Sequence, residues 1–152
     1  MTKLTRADFR FHHPLRVRYA EVDGQGVAYN AHYLTWYDVG ITEYLRAIGH
    51  DYPLGGDPET GCDFHLVKAL VEFRAPIFYD DEIDICIRTR RIGRTSITYD
   101  PAIYSKDSAD DLRATGEIVW VNTHQQTHRT EPVSERLIDA IATFEGRDPR
   151  AG

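Results

Sequence analysis

Two acidic residues lie just before a glycine-rich turn, in an order that could support catalysis. Glu21 and Asp23 are followed by Gly24-Gln25-Gly26, and a long helical pattern begins soon afterwards, near Asn30. The first turn of a helix has unpaired N–H groups and a partial positive charge, which can stabilise a developing oxyanion. A carboxylate beside that point can act as a nucleophile or a general base. The segment is therefore a candidate catalytic site. The alternative is that the acid only stabilises the helix, through its favourable interaction with the helix dipole.

The polar neighbours of Asp23 each have two interpretations. In an extended segment Glu21 and Asp23 share a face, so one carboxylate could raise the pKa of the other. The simpler interpretation, which we favour, pairs Glu21 with a nearby arginine at the surface. Asn30 could orient the substrate carbonyl or an attacking water, or it could only cap the helix. His32 is expected to be a surface or interface residue rather than an acid or base.

The residues around this turn also form an ordered motif, Y-x3-D-x2-G-V-x2-N-x2-Y-x2-W. It comprises Tyr19, Asp23, Gly26, Val27, Asn30, Tyr33 and Trp36. This motif resembles the signature of the 4-hydroxybenzoyl-CoA thioesterase family, small acyl-CoA thioesterases of the hot-dog fold. The resemblance implies that Asp23 is the catalytic carboxylate, and that the turn and helix start, Gly26 to Ala31, polarise the thioester carbonyl through backbone N–H groups. Gly26, Val27 and Asn30 thus join Asp23 in the expected catalytic site, with Asn30 in a position where some family members have histidine or tyrosine.

The elements that would hold this site can be predicted from periodicity. Residues Arg16–Tyr19 alternate in polarity, as in a strand. A helix is predicted from Ala31 to Ile48, with Asn30 as its N-cap and Gly49 as its C-terminal stop. Its apolar stripe contains Leu34, Tyr37, Ile41, Tyr44, Leu45 and Ile48.

After a Gly-, Pro- and Asp-rich loop over residues 50–63, the period of the pattern changes to two. Four further strands are predicted at residues 64–74, 83–92, 96–104 and 112–122, and a last helix follows a capping Ser134, with Leu137, Ile138, Ile141 and Phe144 as its apolar side. We therefore predict an α+β hot-dog fold, with an antiparallel sheet of about five strands curled around one long central helix. The expected organisation is an N-terminal arm at 1–14, a single hot-dog thioesterase domain at 15–146 and a C-terminal tail at 147–152.

Candidate substrate-binding residues fall into a basic and an aromatic group. The densest basic cluster is Arg88, Arg90, Arg91 and Arg94, which could bind the phosphates of coenzyme A or form a solvated outer face. The resemblance favours Arg91 and Arg94, with the Ser96 hydroxyl beside them. Tyr29, Tyr33, Trp36 and Phe64 could line a benzoyl pocket or a fatty-acyl tunnel, and each is also an ordinary core residue.

Composition excludes several other classes of protein. The 152 residues fit one domain, and the net charge of −6 argues against general affinity for nucleic acid or anionic membranes. Two cysteines without metal-ligand spacing are too few for a disulfide framework, so a reducing, cytoplasmic location is expected. No apolar run approaches the ~20 residues of a membrane span.

The combined prediction is an acyl-CoA thioesterase with no metal or redox cofactor. The resemblance further implies homodimers, or dimers of dimers, whose sheets join edge to edge, so that residues near Phe64 to Val67 of one chain face Asp23 of the other. The alternatives are a non-catalytic acyl-CoA-binding hot-dog module, a thioesterase acting on acyl carrier protein, and a hot-dog dehydratase or hydratase. A dehydratase would typically need a catalytic histidine beside an acid, and the sequence places no such pair.

Overall fold

Within the described part of the chain, the fold consists of one five-stranded sheet and two helices. The structure, a computed structural model, describes residues 3–50 and 55–150, so positions 51–54 of the predicted loop and the outermost residues of the arm and tail lie outside the described residues. The elements are β1 (Phe11–Arg16), α1 (Ala31–Ala47), β2 (Cys62–Phe73), β3 (Glu82–Ile92), β4 (Ser96–Ser105), β5 (Leu112–His124) and α2 (Glu135–Glu145). Short 3-10 turns occur at Arg6–Asp8 and Tyr19–Glu21.

The sheet is antiparallel throughout, and its strand order is β1-β3-β4-β5-β2. Its inner face packs against α1, whose aromatic and aliphatic side chains enter the main core. The fully buried members of that core include Trp36, Tyr37, Tyr44, Ile41, Ile85 and Ile87. A sheet of β-branched residues thus buries its apolar face on one long amphipathic helix, which confirms the predicted hot-dog arrangement.

Helix α1 and the sheet come into close contact at Gly40. A β-carbon at this position would lie 2.6 Å from Ile85 Cγ2 and 3.1 Å from the side chain of Ile87. These distances are shorter than ordinary van der Waals contacts, and both isoleucines are fully buried. Glycine at position 40 therefore sets the depth at which the helix sits in the curved sheet.

Strand β2 is an edge strand with an irregular register. The pairing with β5 shifts between Leu66 and Lys68, which leaves Val67 as a bulged residue. Phe64 packs against the core and Leu66 lines a surface pocket before the bulge. After it, Val71 packs against the core and Phe73 contacts Tyr33. The predicted strand at residues 64–74 is therefore present, but its period of two is interrupted at Val67.

The beginning of the chain also differs from the sequence prediction. The first strand is Phe11–Arg16, and Tyr19–Glu21 is a 3-10 turn, so the predicted strand at Arg16–Tyr19 is wrong. Residues 11–14, placed in the loose arm, pair with β3. Phe9 is buried against Tyr104 on the outer face of the sheet. None of the described helices is long and apolar enough to cross a membrane.

The later strands and the last helix agree with their predicted positions to within a few residues. Ser134 caps α2 as predicted, because its side chain accepts a hydrogen bond from the N–H of Leu137. Gly146 ends that helix in the left-handed conformation, with φ of 71°.

Candidate active site

A tight hairpin carries Asp23 and leads directly into α1. Val22 pairs with Ala28, and the N–H of Asp23 donates to the Val27 carbonyl over 2.9 Å. Gly26 closes the turn at φ of 79°, as its residue type predicted. The outer limb of the hairpin, residues 26–28, continues onto the segment before β3 through hydrogen bonds from Ala28 N–H to the Ile77 carbonyl and from Tyr79 N–H to the Gly26 carbonyl. Backbone bonds thus fix the hairpin at one end of the sheet.

The Asp23 side chain is exposed at the base of an open pocket. Its Oδ1 accepts a hydrogen bond from the N–H of Gln25 over 2.8 Å, whereas Oδ2 has no bonding partner within the described chain. The pocket has a volume of about 470 Å³ and is lined by Asp23, Val22, the two turn glycines and two tyrosines. A carboxylate with one fixed and one open oxygen is suited to meet a substrate.

Tyr19 and Tyr79 form an aromatic wall beside that carboxylate. Their rings are perpendicular with centroids 5.8 Å apart, and 80% of Tyr19 and 52% of Tyr79 remain exposed. Sequence analysis identified Tyr19 through the motif but missed Tyr79. The available signal was the apolar run Ile77 to Tyr79, which directly follows Pro76.

The start of α1 is open rather than capped. Asn30 directly precedes the helix at the predicted N-cap position, but its backbone angles are helical and its side chain makes no capping hydrogen bond. The N–H groups of Gly26 and Tyr29 are engaged, by the carbonyls of Asp23 and Glu21. Within the described residues, the N–H groups of Val27, Asn30 and Ala31 donate no hydrogen bond. The candidate oxyanion donors are therefore the N–H groups of Val27, Asn30 and Ala31. Gly26 allows the turn through its positive φ, and its own N–H is already bonded.

Glu21 is buried, which neither interpretation of the sequence anticipated. Only 3% of the residue is exposed. Its Oε1 accepts from the N–H of Arg18 over 2.8 Å, and its Oε2 accepts from the indole N–H of Trp36 over 2.8 Å. Burial by itself raises the pKa of Glu21, but the bonds from Arg18 and Trp36 and the arginine charge outweigh it, so the pKa lies below its ordinary value. The predicted arginine partner is present, although the carboxylate is not at the surface.

The two tyrosines predicted to bind substrate occupy different environments. Tyr29 is half-exposed at the helix start, where its ring contacts the ring of His32. Tyr33 is buried between Trp36, at 5.3 Å between ring centroids, and Phe73, at 4.8 Å. Tyr29 is therefore accessible to a ligand, whereas Tyr33 is a core residue near the start of the helix.

The remaining predicted residues lie further along the sheet, most of them at its opposite end. Strand β3 separates the hairpin end from the Arg91–Ser96 turn by roughly 30 Å, at ~3.3 Å per residue. Phe64 also lies at this far end, stacked on Trp120 with ring centroids 5.6 Å apart. Val67 is exposed at the bulge. Within one chain, the structure does not bring these residues to Asp23.

The basic cluster divides into paired and exposed arginines. Arg88 and Arg90 both contact the buried carboxylate of Asp100, and Arg90 also approaches Glu117. These two side chains therefore belong to a charge network on the outer face of the sheet. Arg91 and Arg94 are exposed and form no ion pair within the described residues. Their guanidinium groups are free to bind an anionic ligand.

Comparison with known proteins assigns the chain to one family. The chain matches the thioesterase-like superfamily over residues 17–141 and belongs to it. It is 28% identical to the acyl-CoA thioester hydrolase YbgC of Escherichia coli O6:H1 over 124 residues, which cover 82% of this chain and 91% of that protein.

Solved structures show the same fold. The 1,4-dihydroxy-2-naphthoyl-CoA thioesterase Slr0204 from Synechocystis aligns with a TM-score of 0.79 at 20% identity, covering 87% of this chain and 95% of that one. The protein SAV2348 from Staphylococcus aureus, solved in complex with CoA, aligns with a TM-score of 0.80 at 14% identity. That alignment covers 91% of this chain and 85% of that chain.

Proposed function

We propose that this protein hydrolyses acyl-CoA thioesters to a free acid and coenzyme A, with Asp23 as the catalytic carboxylate. The observation that carries the proposal is the exposed Asp23 carboxylate on the hairpin that leads into an uncapped helix N-terminus. A thioester bound there would direct its carbonyl oxygen toward the unbonded N–H groups of Asn30 and Ala31. Donors placed in this way stabilise the developing oxyanion, and removal of one typically costs about 3 kcal/mol in activation free energy.

The acid can act by either of two balanced routes. As a nucleophile, Asp23 attacks the carbonyl carbon, the C–S bond breaks, and coenzyme A leaves as the thiolate; water then hydrolyses the acyl anhydride. As a general base, Asp23 takes a proton from a water that attacks the same carbon, and the thiolate leaves directly. Both routes consume one water and need a carboxylate that is ionised and accessible.

A homodimer would bring the two separated groups of residues together. Strand β2 is an edge strand, and pairing it with its own copy about a two-fold axis places its Cys62 end beside the partner's Phe73 end. Phe73 contacts Tyr33, next to the hairpin of Asp23. The arrangement would therefore place Phe64 and Val67 of one chain near Asp23 of the other. It supports a site shared between two subunits.

The same dimer would supply a binding site for the nucleotide end of the substrate. Arg91, Arg94 and Ser96 lie at the far end of the sheet together with Phe64, so they would approach the partner's hairpin. Unpaired arginines can bind phosphate groups bidentately. Coenzyme A is favoured over acyl carrier protein because the chain has a net charge of −6, which would slow its association with an acidic protein.

Thiol release from a panel of short, long and aromatic acyl-CoAs tests this proposal. Wild type should turn over at least one substrate, and Asp23→Asn should lose at least 100-fold in kcat while folding and oligomeric state are retained. Asp110→Asn is a matched control, because Asp110 is exposed in the turn between β4 and β5. Binding without thiol release by wild type would favour the non-catalytic module, and full activity of Asp23→Asn would reject the mechanism. Turnover confined to acyl carrier protein thioesters would show that the acyl group is carried by that protein and not by coenzyme A.

A further inference from the structure

The hydrogen bonds of Asp23 are local to its own hairpin. Its side chain accepts from Gln25, its N–H donates to the Val27 carbonyl, and its own carbonyl accepts from Gly26. None of these contacts links the carboxylate to α1, where the expected oxyanion donors lie. The relative position of acid and helix must therefore be set by other residues.

Glu21 connects this segment to the helix and to the residues just before it. Its carbonyl accepts from the N–H of Tyr29 over 2.9 Å, just before α1 begins. Its carboxylate accepts from the indole N–H of Trp36 over 2.8 Å, further along the same helix. Trp36 is only 1% exposed and is held in the core. Glu21 is thus bonded to α1 through its side chain, and through its main chain to the residue two positions before α1.

A carboxylate in this position is energetically unusual. An ionised group loses hydration on burial, and the loss must be offset by directional bonds. Arg18 supplies the counter-charge, but its side chain is 77% exposed, and ion pairs with such exposure contribute little stability. An apolar residue would fill the space without these costs, yet it would provide no directional bond to Trp36.

We infer that Glu21 is a positioning residue, whose bond to Trp36 holds Asp23 at a fixed distance from the start of α1. The inference rests on the proposed function and goes beyond it, since the buried acid touches no substrate. Loss of the bond lets the hairpin shift relative to the helix, and displacements near 1 Å in an active site can cost about 100-fold in rate. Because ground-state binding is made elsewhere, the loss should appear in kcat rather than KM.

Glu21→Gln and Trp36→Phe each weaken the bond from one side, and Glu145→Gln is the matched control. Glu145 is likewise buried and accepts hydrogen bonds, from the Tyr44 hydroxyl and the Thr89 N–H, but it lies on α2. We expect Glu21→Gln to lower kcat at least tenfold, with KM within about twofold of wild type. Glu145→Gln should lower the melting temperature comparably while kcat stays unchanged.

The double variant of Glu21→Gln and Trp36→Phe separates positioning from general destabilisation. Both substitutions weaken the same hydrogen bond, the one between Glu21 and Trp36. The double variant should therefore lose no more in kcat than the more affected single variant. Multiplicative losses, or an unchanged kcat in Glu21→Gln, would overturn the inference. If Glu21→Gln does not fold, Trp36→Phe serves as the test on its own, because an unchanged kcat in Trp36→Phe would also overturn the inference. Absence of turnover by wild type would instead reject the proposed function.

Discussion

Glu21 and Asp23 are carboxylates two residues apart with opposite environments. Glu21 is buried and bonded on both oxygens, whereas Asp23 is exposed with one oxygen open. Two neighbouring acids can share a proton when no cation separates them, but Arg18 contacts the Glu21 carboxylate at 3.2 Å. Glu21 therefore remains ionised in a structural position, which leaves Asp23 as the group available for chemistry.

The lowered pKa of Glu21 makes a prediction about stability. Because the folded-state pKa lies below the ordinary value of 4.5, the ionised carboxylate contributes stability above that pH. The contribution is lost as the pH falls through the folded-state pKa. We expect Glu21→Gln to reduce the free energy of unfolding by about 1–3 kcal/mol at neutral pH, with a smaller reduction in acid. Urea denaturation over this range measures the difference, and Asp110→Asn should show little change at any pH. A difference that is constant with pH would contradict the assignment.

At the residue scale, the sequence predicted which residues form the candidate site better than it predicted their burial and hydrogen bonds. The motif located Asp23 and the turn glycines, because glycine at a positive φ is specified locally. The missing cap at Asn30 could not be predicted, since residue type shows a preference for capping and not whether the side chain turns toward the helix. The burial of Glu21 depends on Trp36, which lies 15 positions later and reaches it only in the folded chain.

At the element scale, α1 holds the site in place through its close packing on the sheet. Gly40→Ala should destabilise the protein although alanine favours helix by about 1 kcal/mol. The added methyl group would meet Ile85 at 2.6 Å, and overpacking of a core typically costs about 1–3 kcal/mol. We expect a lower melting temperature for Gly40→Ala by thermal denaturation. Thr35→Ala, on the exposed face of α1, gives alanine a similar helical advantage without the clash and should be neutral or stabilising. An equal or higher melting temperature for Gly40→Ala would show that the sheet can move away.

Elements with a clear periodicity in their own sequence were predicted correctly, and elements set by other contacts were not. Strands β3, β4 and β5 and both helices have strong periodicity, and the structure confirms them. The segment Arg16–Tyr19 alternates equally well, but Tyr19–Glu21 forms a 3-10 turn because the Glu21 carboxylate bonds back to Arg18. The bulge at Val67 also escaped prediction, since one extra residue in an edge strand leaves the composition of the strand unchanged.

At the scale of the whole molecule, the two edges of the sheet are different. Strand β1 carries Pro14 within its paired region, and proline at an edge blocks further strand addition. Strand β2 contains no proline and exposes Leu66, Val67, Leu70 and Phe73. An exposed apolar edge of this kind is expected to be covered in the working protein. The asymmetry favours self-association through β2 over association through β1.

Val67→Asp tests this association and the shared site together. A carboxylate at the centre of a β2–β2 interface would be buried without a partner, so we expect the dimer to dissociate. The monomer should remain folded because Val67 is 59% exposed in the single chain. Thiol release should fall at least tenfold, since Phe64 and Arg94 would no longer reach the partner's Asp23. Sedimentation velocity and thiol release, measured at the same protein concentrations, check both effects. Asp110→Lys changes charge on an exposed turn outside β2 and should preserve the dimer and its activity. A fully active Val67→Asp monomer would show that one chain contains a complete site, and an intact dimer would place the interface on another surface.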